Sequence, residues 1–408
     1  MSIFLTGVRL NKRGFVVAMI PYFPFFSWYY VFSYDVLKFI VEENTGTFLI
    51  CNSLFNCSIC IALILAGSFI REVKKTSLLY TCSILSFAGT VFMILTPNNI
   101  LKLASYFLSG VLYGTGLLAY FTYFWNLTVP EESGRVTGLI GFIFLPILSV
   151  IAILIKQLDF IETATLCIIL NLGTLGIIPF NPGNITTLTT KRDLRGLNPE
   201  KGTILLYLIP WLIYSLINAT LAKTVSFQVS QYFSVSSLML LSILQVVGAS
   251  FGAIIGGVIA DFFGRRLSVA FGLTLYGISS AISGLSRSYQ LFLLAFFGNG
   301  ISWGIFLTVY TFLIWGDLAT EETCAQRYSI GLAIYYFATG LGILLTPQLF
   351  QISLMFASIT ICLLIFLSNV PIILAPELLS SDFLEKVHLR LYMYLVRLGK
   401  QRYSTNQG

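Results

Sequence analysis

The chain has 408 residues, 57% hydrophobic and only 10% charged, with a net charge of +7 and a mean hydropathy of +0.87. A soluble domain carries about 25% charged residues, so a soluble enzyme, a secreted disulfide scaffold and a nucleic-acid-binding domain are excluded. At roughly 30–35 residues per span with its loop, the length admits about a dozen spans and describes an all-α polytopic membrane protein.

Apolar runs predict twelve transmembrane helices, at 14–41, 47–70, 77–96, 100–127, 136–156, 162–180, 203–225, 235–260, 267–285, 289–316, 329–350 and 352–374, with ends good to about three residues. The first is long enough to need a tilt or a bend at Pro21 and Pro24. It is too long for a cleavable signal peptide, and it follows Arg9, Lys12 and Arg13. Cys57 and Cys60 form a CxxC inside an apolar run without a neighbouring His, Lys or Arg, which reads as packing. The single histidine, His388, leaves too few ligands for a metal. No cofactor is implied.

With the N-terminus in the cytoplasm, 19 of the 24 Lys and Arg residues fall on the cytoplasmic side and 5 on the other. The positive-inside bias therefore predicts a multi-pass protein of the cell membrane with both termini cytoplasmic. The polar interval 181–202, with Lys191, Arg192 and Arg195, separates two groups of six spans, residues 1–180 and 203–376. In the tail, 377–408, Phe383, Leu384, Val387, Leu391, Leu395 and Leu398 fall near helical spacing. They read as an amphipathic helix on the inner leaflet, or as a partner-binding helix.

The two halves repeat. Gly110 and Gly300, Gly114 and Gly304, Tyr120 and Tyr310, and Trp125 and Trp315 are each 190 residues apart, as are Gly67 and Gly257. Glu131–Glu132 and Glu321–Glu322 keep the same offset. A six-plus-six parallel repeat is the plan of two bundles rocking about a central site.

The loop after the eighth span reads GGVIADFFGRR, residues 256–266. Gly257, Asp261, Gly264, Arg265 and Arg266 closely resemble the loop signature of the major facilitator superfamily. Phe262 stands where that signature usually has a basic residue, and Arg71 stands where the first-half copy would have its Asp. Arg135, Arg327 and the loops around them, 131–136 and 317–323, resemble the family's fourth and tenth loops. The resemblance implies the twelve-helix, two-bundle fold and a transporter working by alternating access, with these seven residues forming the conformational gate. Gly257 would permit close helix approach, and Asp261 would pair with Arg265 or cap a neighbouring helix.

Polar and aromatic stripes mark four spans as cavity-lining candidates. The first carries Tyr22, Phe25, Tyr29 and Ser33, and the fourth Tyr106, Ser109, Tyr113, Tyr120 and Tyr123. The seventh carries Tyr207, Trp211, Tyr214 and Asn218, and the tenth Asn299, Trp303 and Tyr310. Spans one, four, seven and ten also line the cavity in the resembling family. Tyr113 and Trp303 lie about 13–14 residues into their spans, roughly 20 Å deep, past an interfacial aromatic belt.

Ionisable groups are scarce in the spans: Asp35 with Lys38 near the outer end of the first, Lys223 near the outer end of the seventh, and Asp317, read as a loop residue. The Tyr34-Asp35 context is similar to that of first-span sugar porters, which implies a proton site at Asp35; the alternative is an outer-mouth ion pair with Lys38. Pro376-Glu377 resembles the Pro-Glu after their last span. The fifth span, with Gly138, Gly141 and Pro146, lacks the glycine-proline pattern of drug/proton antiporters. Tyr and Trp suit a small neutral or amphiphilic organic solute, sugar-like or another metabolite. The expected partners are that solute, the bilayer and, through Asp35, protons, with no nucleic acid and a monomeric chain. Export of hydrophobic compounds, or ligand sensing without net flux, are the alternatives.

Overall fold

Long runs of Leu, Ile, Phe and Val leave the backbone polar groups of each span to be satisfied within it, which only a helix achieves in hydrocarbon. The structure is a computed structural model that describes residues 12–37, 45–70, 75–155, 158–175, 201–285 and 288–380, with 384, 385, 389 and 396 beyond. Twelve helical columns run through the described residues. In the first half they are α1 (Lys12–Val31, continued by a π-helical turn Phe32–Val36), α2 (Thr45–Phe69), α3 (Lys75–Leu95), α4 (Asn99–Leu127), α5 (Pro130–Ile155) and α6 (Phe160–Leu175). The second half begins with α7a (Lys201–Ala219) and α7b (Leu221–Ser230), then α8 (Val235–Phe262) and α9 (Arg265–Leu285). It closes with α10 (Tyr289–Phe306, then π-helical Leu307–Ile314 and Trp315–Asp317), α11 (Cys324–Leu349) and α12 (Leu354–Leu374). Ten of the described helices are long and apolar enough to cross a membrane.

Three boundaries move beyond the expected margin. α5 begins at Pro130 rather than 136, because proline suits the first helical position and Glu131 and Glu132 suit the first turn. α11 begins at Cys324 rather than 329. The seventh span runs to Ser230, broken at Thr220. The expected linker, 181–202, and tail, 377–408, lie almost wholly outside the described residues.

The first six columns pack among themselves, as do the last six, and the two bundles meet along two seams, α5 against α8 and α2 against α11. Small residues permit those seams. A side chain on Gly138 would strike Ala253 O, and one on Gly257 would strike Gly134 O. On the other seam Ser53 Oγ donates to Gly340 O at 2.8 Å.

The internal repeat extends to these contacts. Gly110 packs on Phe55 and Gly300 on Gln245; Gly114 packs on Ile59 and Gly304 on Ala249. Each residue of the second half lies 190 positions after its first-half counterpart. The same α2–α4 and α8–α10 approaches are thus built twice.

Candidate functional site

Between the bundles lies a cavity of about 140 Å³. α1 contributes Tyr29 and Phe26, and α7a contributes Trp211 and Tyr214. α10 supplies Trp303 at the turn before its π-helical segment, which adds Leu307 and Thr311. π-helical turns gather at functional sites because they re-aim side chains without ending the helix. Two helices outside the predicted set also line the cavity: α5 with Phe144, Leu145 and Leu148, and α11 with Leu332, Tyr335 and Tyr336.

Ring stacking fixes the walls. Tyr113 lies between Phe25 and Tyr29, with centroids 4.9 and 4.2 Å away, and Trp211 stacks on Tyr310 at 4.7 Å. Hydrogen bonds set the ring orientations: Tyr29 Oη to Asn56 Oδ1 at 3.2 Å, Trp211 Nε1 to Gly331 O at 2.7 Å, and Tyr113 Oη with Tyr336 Oη at 3.2 Å. Tyr214 Oη is buried without a partner among the described residues. Among the described residues the lining holds no charged residue.

At the end of the molecule that carries Arg135, Arg265 and Arg266, here the basic end, an ionic cluster joins the bundles. The Asp261 carboxylate on α8 accepts from Gly134 N at 2.9 Å, Arg135 N at 2.8 Å, Arg135 Nε at 3.1 Å and Arg265 Nη1 at 2.8 Å. Four donors fill its lone pairs. The Arg265 guanidinium, fully buried, also donates from Nε to Asp317 Oδ2 at 2.7 Å and from Nη2 to Pro130 O at 2.6 Å and Ser133 Oγ at 3.1 Å. Phe262 packs its ring under the Arg135 guanidinium, 5.1 Å away, so the residue that departs from the loop signature makes a cation–π contact.

Asp317 is therefore not a free loop residue. It terminates α10 and holds Arg265 in place. Glu377 caps α9, accepting from Arg265 N at 2.7 Å and Arg266 N at 3.0 Å. Gly264 turns between α8 and α9 at φ +105°, and a side chain there would collide with the Glu377 carboxylate. Both features require glycine. Arg327 stands apart from the cluster, with its Nε buried and unpartnered among the described residues. The first-half counterpart, Arg71, lies outside the described residues, while Gly67 packs against Ser329 on α11.

The predicted stripes divide by depth. Tyr29, Trp211, Tyr214 and Trp303 reach the cavity. Tyr113 and Tyr310 stand behind its walls. Tyr120 is removed from it, donating to Ala18 O at 3.0 Å and packing on Phe121 and Phe124. Asn218 and Asn299, one helical turn from Tyr214 and Trp303, open into a separate polar cavity inside the second bundle. The side chain of Asp35 lies outside the described residues.

Residues 209–375 match the family described as Sugar (and other) transporter. The human organic anion transporter MFSD10 superposes with a TM-score of 0.70 at 13% identity, covering 89% of this chain and 99% of its own. A bacterial homologue of the iron transporter ferroportin, in an outward-facing state, gives 0.70 at 14%, covering 90% and 99%. The proton:xylose symporter XylE gives 0.66 at 12%, covering 92% and 98%. A lincomycin resistance protein of Streptomyces lincolnensis is 36% identical over 91 residues, 21% of this chain. That match spans only 19% of the relative's length. The fold is that of two-bundle membrane transporters. The family match lies in the second half of the chain, and the shared fold extends the likeness across both bundles.

Proposed function

We propose that the protein is a secondary transporter of a small, uncharged, amphiphilic organic solute, moved by alternating access through the aromatic cavity. The observation that carries this reading is the uncharged, ring-lined space between the bundles, closed off at the basic end by the Asp261–Arg265–Arg135 cluster. At about 140 Å³ it lies well below the ~300 Å³ at which drug-sized pockets begin. A single-ring solute fits that size, and a larger one requires the bundles to part.

Flat apolar faces with few hydroxyls suit a ring bearing one or two polar groups better than a bare sugar, whose many hydroxyls need matching partners. The Tyr214 hydroxyl is the group that would reach such a solute. Export of hydrophobic compounds is the second reading. The apolar lining and the segment similar to the lincomycin resistance protein favour it; the sugar-transporter match and the XylE-like fold favour uptake. Proton coupling through Asp35 belongs to the uptake reading.

Flux in proteoliposomes separates these. A panel of single-ring amphiphiles and sugars is offered with and without a pH gradient. The expected result is saturable flux of an amphiphile, with Trp303→Ala raising the half-saturation concentration about tenfold through loss of ring burial. Gradient-driven accumulation lost in Asp35→Asn, with exchange retained, supports symport. Flux only of sugars, indifferent to Trp303→Ala, contradicts the assigned site.

A further inference from the structure

The second bundle holds its own cavity, about 240 Å³, between α7b, α8, α9, α10 and α12. Unlike the aromatic cavity it is lined by amides and hydroxyls: Asn218, Asn299, Gln245, Ser280 and Ser358 among them. The Tyr214 and Tyr276 rings, 5.5 Å apart, stand between the two spaces. Among the described residues Lys223, exposed at its mouth, brings the single charge, and no acidic residue lines it. Lys223 has no ion pair among the described residues; the bridges between Arg135, Asp261, Arg265 and Asp317 lie in the basic-end cluster.

The break in the seventh span adds to this charge. α11 presses on the chain at Ala219: Thr346 Oγ1 donates to Ala219 O at 3.1 Å, and a side chain on Gly342 would overlap the Ala219 carbonyl carbon. Thr220 departs from helical geometry at φ −120°, ψ −83°. α7b then starts afresh over ten residues, and its first turn lines the cavity through Ala222 and Lys223. Among the described residues the N–H groups of Leu221, Ala222 and Lys223 have no carbonyl behind them; the first restored backbone bond is Thr224 N to Thr220 O at 3.1 Å. Open N–H groups at a helix start attract negative charge. On the α12 wall, Ser358 Oγ is fully buried with no partner among the described residues.

We propose that this cavity binds the anionic head of a small molecule, held by the Lys223 ammonium, the open amino end of α7b and the Ser358 hydroxyl. A free carboxylate and the head of an anionic lipid share that chemistry. The site is independent of the aromatic cavity and of the solute that cavity carries.

The test is equilibrium binding of radiolabelled benzoate to full-length protein in phosphatidylcholine nanodiscs, with benzamide as the neutral competitor. Saturable binding that benzamide does not displace is expected. Lys223→Met weakens it about tenfold or more, the loss of one charge-assisted hydrogen bond. Lys223→Arg restores it, which separates lost charge from lost folding, and Ser358→Ala weakens it less. Trp303→Ala, in the aromatic cavity, leaves it unchanged. Repeating the measurement with phosphatidylglycerol assigns the source: displacement of benzoate identifies a lipid head, and indifference a free solute. Absence of benzoate binding, equal competition by benzamide, or binding unaltered by Lys223→Met overturns the proposal.

Discussion

Asp261 joins the two bundles through a single carboxylate. Two of its bonds come from backbone N–H groups of α5 and two from arginines, so its charge is compensated across the boundary between bundles. Removing one partner from such a buried cluster costs about 3–5 kcal/mol, because the remaining charges stay buried and unpaired. Asp261→Asn is therefore expected to disfavour the basic-end-closed state by about that amount. A cysteine at Thr128, buried at the basic end of α4 in this state, reports it through faster labelling by a membrane-impermeant maleimide; unchanged labelling argues against the gate. Tyr120 supplies the contrast. Its hydroxyl donates to Ala18 O, away from the cavity, so Tyr120→Phe should lower unfolding stability by about 1 kcal/mol while solute flux stays at the wild-type rate. A collapse of flux in that variant would return Tyr120 to the site.

Among the helices, α5 and α8 form the seam that carries the ionic cluster. Gly134 and Gly138 face Gly257 and Ala253 so closely that any added side chain meets a backbone carbonyl. Gly138→Leu should force the helices apart at the cost of overpacking, about 1–3 kcal/mol. Disulfide trapping between cysteines placed at Phe142 and Phe251, whose rings lie 5.8 Å apart across the seam, should then fall, and trapping as efficient as without Gly138→Leu would show that the seam tolerates the bulk. Much of this was legible in the sequence, since an Asp, two Arg and a glycine pair stand out in a chain with so few charges. The offset of 190 was legible too, and it reappears as paired helix contacts. What escaped sequence reasoning is instructive in physical terms. Periodicity reports which face of a helix a residue occupies, not how deep it sits. Asn218 and Asn299 share faces with Tyr214 and Trp303, yet one turn of depth carries them into another cavity. Tyr335 and Tyr336 are adjacent in sequence and form no stripe, so the α11 wall left no signal. Asp317 stood beside a loop, and only the approach of Arg265 makes it part of the cluster. The break at Thr220 comes from α11, which local sequence does not reveal.

For the whole molecule, the position of the ionic cluster decides what must move. It ties α5 of the first bundle to α8 and α9 of the second at the basic end, and the aromatic cavity lies between the same bundles. Under the proposed function, release of a solute toward the basic end requires the cluster to separate, with the bundles pivoting about the rings. Distances measured by double electron–electron resonance in lipid nanodiscs follow that motion directly. One label pair spans the basic end, at Asn126 and Glu321; the other spans the far end, at Asn99 and Val235. Addition of a transported amphiphile, or Asp261→Asn, should lengthen the first distance as it shortens the second. Two distances that stay fixed under both treatments would contradict alternating access.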